Sequence, residues 1–199
     1  MLIHPKKQRV TLEPGFLLLA ALLFYLDDGT AVLLWIVLSA LFHELGHITA
    51  AMVFGGRIKH LKLTAIGAEL RFSYSNPLSY WKENIIALAG PGANLLAGGV
   101  LVWAGCLLPG LMSLALGFFN AMPALPLDGG RIFYNLIAEH FGLDKAECVL
   151  MVSTAVLAGF LVGLGVIALV EYANLTILLG ALWLLFCILK DSSKKTSKK

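Results

Sequence analysis

Apolar residues gather into long runs along this chain, and charged residues collect between them. Six such runs lie at about 15–26, 31–54, 84–108, 111–127, 148–170 and 173–189. A helix crossing a hydrocarbon core of about 30 Å needs roughly 20 apolar residues, so the pattern predicts about six transmembrane helices. The first run is short and follows Lys6, Lys7 and Arg9, as a signal peptide would. Leu26-Asp27-Asp28-Gly29 offers no small-x-small cleavage site, and the run is read as a first helix. Residues 57–76 follow a different rule. Leu61, Leu63 and Ala65, then Leu70, Phe72 and Tyr74, alternate with Lys62, Thr64, Arg71 and Ser73 around a turn at Ile66-Gly67-Ala68. Period two with a glycine turn predicts a β-hairpin.

Composition supports the membrane reading. The 199 residues are 59% hydrophobic and 14% charged, with a mean hydropathy of +0.85. Soluble domains carry about 25% charged residues, so the excess apolar surface must face lipid. So little charge and cysteine exclude a disordered chain, a nucleic-acid-binding module and a secreted disulfide scaffold. With six spans and both termini inside, all 15 basic residues fall in cytoplasmic segments or at cytoplasmic helix ends. The opposite side then carries little beyond Asp27, Asp28, Glu171 and a turn near Pro109-Gly110. The expected fold is an all-α polytopic membrane protein with a small β-hairpin or sheet at the cytoplasmic face. One domain spans 1–190, and a basic, disordered cytoplasmic tail at 191–199 suits an anionic lipid surface. Cys106, Cys148 and Cys187 form no C-x-x-C pair and are expected as packed free thiols. Gly90, Gly92, Gly98 and Gly99 are expected as close-packing positions between helices.

Within the second run stands His43-Glu44-Leu45-Gly46-His47. Helical positions i and i+4 share a face, so both imidazoles can reach one metal ion with Glu44 beside them. From the chain's own frequencies, such a pentapeptide is expected by chance on the order of 0.01 times per sequence. Three ionisable groups within five residues of a spanning helix also require compensation by pairing, hydration or a metal. A catalytic zinc takes three protein ligands and a water, and Asp128 is the candidate third ligand. It closes the run Asn120-Ala121-Met122-Pro123-Ala124-Leu125-Pro126-Leu127-Asp128-Gly129-Gly130, whose prolines interrupt helical bonding and whose glycines allow a sharp turn. A less favoured alternative, capping a helix that starts near Gly130, competes for the same carboxylate oxygens without strictly excluding ligation.

These elements, with Ala89-Gly90-Pro91-Gly92-Ala93-Asn94 between them, resemble the site-2 protease family of intramembrane zinc metalloproteases. The compact layout and the Pro-Leu-Asp-Gly-Gly wording are nearest the bacterial group that includes stage IV sporulation protein FB. The resemblance implies one zinc ion per chain on His43, His47 and Asp128, Glu44 as catalytic acid/base, and a membrane-tethered protein substrate. It further implies a bacterial inner membrane location, with the active site towards the cytoplasm, and leaves room for a regulatory membrane protein as partner. No nucleotide-sensing CBS domain follows Leu189 and no PDZ insertion interrupts the chain, so control by ATP or by a peptide-binding module is not expected.

A substrate helix must unwind before its carbonyls can be attacked, and the hairpin offers strand addition through Leu61, Leu63, Leu70 and Phe72. Asn120 and Asn94 could assist there, although interhelical hydrogen bonding is the favoured reading for Asn94. Two rival functions use the same residues: a zinc-binding scaffold without activity, and a metal-ion transporter. A structural site has no use for Glu44, and transport needs polar groups at several depths.

Overall fold

The computed structural model describes residues 9–12, 31–64, 67–172, 178–179 and 182. The expected span at 15–26 and nearly all of that at 173–189 lie outside them. The chain divides into two compact units, Met1–Phe118 and Phe119–Lys199.

In the first unit, helix α1 (Val32–Val53) is 22 residues long, about 33 Å at 1.5 Å per residue. It stops where Gly55 takes a left-handed conformation (φ +79°), letting the Gly55 and Gly56 amides close on the Met52 and Ala51 carbonyls. Strand β1 (Arg9–Leu12) pairs parallel to β2 (Arg57–Thr64), which pairs antiparallel to β3 (Gly67–Ser73). The expected hairpin is present, with Leu61 opposite Leu70, and β1 adds a strand that the local pattern did not announce.

Helix α2 (Tyr80–Trp103) and helix α3 (Leu107–Asn120) follow. The span expected at 84–108 is α2, which begins a turn earlier and ends at Trp103, where Gly105 (φ +83°) turns the chain. The next run, 111–127, stops being helical at Asn120, because Pro123 and Pro126 withhold backbone N–H groups and restrict the residues before them. The 14 residues of α3 reach about 21 Å, short of a full crossing. Among the described residues, α1, α2 and the last helix of the second unit are long and apolar enough to cross a membrane.

Small residues hold α2 against both neighbours. The buried positions Ile86, Ala87, Gly90, Pro91, Asn94 and Gly98 recur at helical spacing. A Cβ on Gly46 would collide with the Ala89 carbonyl on the α1 side, and one on Gly98 would lie 2.8 Å from the Gly110 carbonyl oxygen on the α3 side. Gly92 and Gly99 do not share this role: a Cβ at either meets nothing within 4 Å. The outward faces are apolar, with Leu96 75% and Trp103 89% exposed, as lipid contact requires.

The second unit contains α4 (Asp128–Phe141) and α5 (Leu143–Tyr172), joined at Gly142 (φ +88°). Residues 121–127 are irregular but tied to α5. The Leu125 amide donates to Thr154 Oγ1 at 3.0 Å, and Ser153 Oγ donates to the Pro123 carbonyl at 2.7 Å. Cys106, in the turn after α2, and Cys148, on an outer face of α5, are free and exposed rather than packed.

Candidate metal centre

The first unit contributes the histidine pair. One helical turn separates His43 and His47, and their rings meet edge to face with centroids 4.7 Å apart. Their Nε2 atoms stand 3.1 Å apart. Two imidazoles on a tetrahedral zinc, at about 2.0–2.1 Å each, would place these nitrogens about 3.3 Å apart, so the pair already has close to the required spacing. His43 is 6% exposed, and Glu44 beside it is half-buried.

Two features of α2 prepare this pair. His47 Nδ1 lies 2.7 Å from the carbonyl oxygen of Ile86. A carbonyl only accepts, so Nδ1 carries the proton and donates it, which leaves Nε2 with a bare lone pair. Outer hydrogen bonds of this type fix the tautomer and ring orientation of metal-binding histidines. The second feature is Gly90. A Cβ there would collide with the His47 imidazole and lie 2.8 Å from His43 Nε2. Only glycine leaves this space open.

Asn94, one turn beyond, is fully buried. Its carboxamide lies 3.4 Å from His43 Nδ1, and Ser113 Oγ donates to its backbone carbonyl at 3.0 Å. Asn94 thus joins the histidine face of α1 to α3, which agrees with the interhelical role favoured for it.

Asp128 belongs to the second unit. It is the first residue of α4, and the cap position is taken by Leu127 in extended conformation, so the capping alternative does not hold in its simple form. A carboxylate in the first turn is still favoured by the helix dipole. The glycines after it let the preceding loop fold back closely: a Cβ on Gly129 would strike the Ala121 carbonyl, and one on Gly130 the Ala124 carbonyl. Larger residues would push the loop away and re-aim Asp128. Asn120 ends α3 and is half-buried.

Leu61 and Leu63 lie on β2, whose two edges are occupied by β1 and β3. Leu70 and Phe72 lie on β3, an outer strand among the described residues. The Ile86 carbonyl, Gly90 as clearance for the imidazoles, and the Thr154 and Ser153 anchors were not identified from sequence. A backbone carbonyl has no sequence signature, whereas glycine on the helix next to a histidine pair was a usable signal.

Comparison with known proteins agrees with this geometry. The model of peptidase family M50 matches residues 31–111 and 107–164. Zinc metalloprotease MJ0392 of Methanocaldococcus jannaschii is 28% identical over 155 residues, covering 69% of this chain and 45% of that protein. Stage IV sporulation protein FB of Bacillus subtilis is 28% identical over 141 residues, covering 66% of this chain and 49% of that protein. The chain therefore spans about half the length of the curated relatives it matches. The solved site-2 protease from Methanocaldococcus jannaschii superimposes with a TM-score of 0.68 at 26% identity, covering 96% of this chain and 94% of that one.

Proposed function

The chain belongs to peptidase family M50, and we propose that it is an intramembrane zinc metalloendopeptidase acting on membrane-tethered protein substrates. The observation that carries this reading is the His43–His47 pair, with its Nε2 atoms at near-ligand spacing, one tautomer set by Ile86 and a cleared space beside Gly90. In this reading His43 and His47 supply two ligands and Asp128 the third, as the family resemblance implies. A zinc ion held by this set supplies a water of pKa about 7 and polarisation of the scissile carbonyl.

Glu44 is left out of ligation and sits one residue from His43 on α1. Its role is to take the proton of the attacking water and return it to the leaving amine. That role separates the enzyme from a scaffold, which would gain nothing from an extra half-buried carboxylate.

A substrate in helical form hides its carbonyls in its own hydrogen bonds, so it must be drawn out before hydrolysis. The outer strand β3, which carries Leu70 and Phe72, offers an unwound segment backbone partners, and Asn120 is a further proposed substrate contact. Both edges of β2, which carries Leu61 and Leu63, are already paired, so strand addition is proposed at β3. The proposed topology has six spans with both termini and the active site on the cytoplasmic side, in a bacterial inner membrane. All 15 basic residues then lie on that side.

The deciding experiment reconstitutes the protein with a membrane-tethered substrate and compares wild type with Glu44→Gln, measuring bound zinc in both. Cleavage lost with zinc retained is the expected result. Equal cleavage by both, with zinc bound, would point to a scaffold.

A further inference from the structure

A His43 bound to a metal through Nε2 requires its imidazole proton to sit on Nδ1. The carboxamide of Asn94 faces that Nδ1 at 3.4 Å. As placed, Nδ2 points towards His43, and Asn94 Oδ1 is a buried atom with no hydrogen-bond partner. An Nδ2 donor would hold His43 as the Nε2–H form, whose proton points at His47 Nε2 3.1 Å away and blocks the metal position. The carboxamide's two ends are nearly isosteric, and rotation about its last bond exchanges them.

We propose that Asn94 is a positioning residue for metal binding: its Oδ1 accepts the Nδ1 proton of His43 and so leaves His43 Nε2 bare towards the ion. This rests on the assignment of His43 as a ligand. It gives the two histidines matching supports on α2, the Ile86 carbonyl for one and a side-chain oxygen for the other. It also gives the buried Oδ1 a partner, which an orphaned acceptor in a low-dielectric interior requires.

Zinc affinity, read by chelator competition on the full chain in detergent, tests the proposal. Asn94→Leu keeps the bulk and removes the acceptor, and should weaken zinc binding about 10- to 100-fold. Asn94→Asp, as a carboxylate beside a bound cation, can accept but not donate, and should recover most of that loss. Zinc bound by Asn94→Leu as tightly as by wild type, or Asn94→Asp as weak as Asn94→Leu, would overturn the proposal. A readout on wild type needs no variant to fold: with 15N-labelled histidine, zinc-loaded protein should show the His43 proton on Nδ1, slow to exchange and shifted downfield by its acceptor. A fast-exchanging His43 Nδ1 proton without that shift would equally count against it. Failure of wild type to hold zinc, with no change on His47→Ala, would remove the ligand assignment itself. Tight binding insensitive to Asn94 would remove only the positioning role.

Discussion

His47 and Ile86 are joined across the α1–α2 packing by a 2.7 Å hydrogen bond from Nδ1 to a backbone carbonyl. The bond ties a candidate metal ligand to a neighbouring helix through an atom that substitution at position 86 does not remove. Displacement of α2 against α1 should therefore change metal affinity even where no ligand is altered. Gly46→Leu provides the measurement, because a side chain there meets the Ala89 carbonyl and must separate the helices. Zinc affinity should fall by tenfold or more while His43, Glu44 and His47 remain intact.

Gly90→Ala should have a sharper effect. The added methyl occupies the space beside both Nε2 atoms, so zinc content should fall to near background. Gly92→Ala is the control on the same helix, since its Cβ meets nothing within 4 Å. Metal analysis of the two purified variants should separate them cleanly. Equal zinc in both would mean that the clearance beside Gly90 is irrelevant to the site.

How much of this could be read from the residues follows from the range of each interaction. The His43–His47 pair was legible because its members are one turn apart on a helix defined by hydropathy, and the β2–β3 hairpin because period two and a glycine turn are local. Strand β1 was not, since Arg9–Leu12 pairs with residues 60–63, about fifty positions away, and four residues carry little periodicity of their own. The run at 111–127 looked continuous because hydropathy does not register the lost backbone donors at Pro123 and Pro126. Its last seven residues instead form an irregular loop held by Thr154 and Ser153. Glycine spacing suggested helix packing, yet only the contacts show that Gly90 faces imidazoles while Gly92 and Gly99 face open space.

The loop leading to Asp128 should depend on Thr154. This side chain is fully buried, accepts the Leu125 amide and donates to the Leu150 carbonyl at 2.6 Å. Thr154→Val keeps the shape but leaves the Leu125 amide without that acceptor, at a cost of about 1–3 kcal/mol. Denaturation in detergent should show the loss of stability, and proteolytic cutting within 121–127 should become faster. A variant as stable and as protected as wild type would show that the loop is held by its prolines and apolar contacts alone.

Strand addition at β3 makes a prediction that depends on direction rather than on side-chain type. Successive backbone N–H groups of a strand point to opposite edges, so those of Leu70 and Arg71 face one towards β2 and one towards the outer edge. Proline at the inward position removes a ladder bond and should destabilise the sheet. At the outward position it should leave the sheet paired but deny a donor to an incoming peptide. Leu70→Pro and Arg71→Pro, assayed side by side for zinc content, protease resistance and substrate cleavage, should therefore divide. One should lose sheet protection, and the other should keep protection and zinc while cleavage falls about tenfold, the effect expected from one lost substrate hydrogen bond worth roughly 1.5 kcal/mol. Full cleavage by the variant with an intact sheet would exclude pairing of the substrate to β3 at that position, and recognition would then have to rest on side chains such as Phe72 and Asn120.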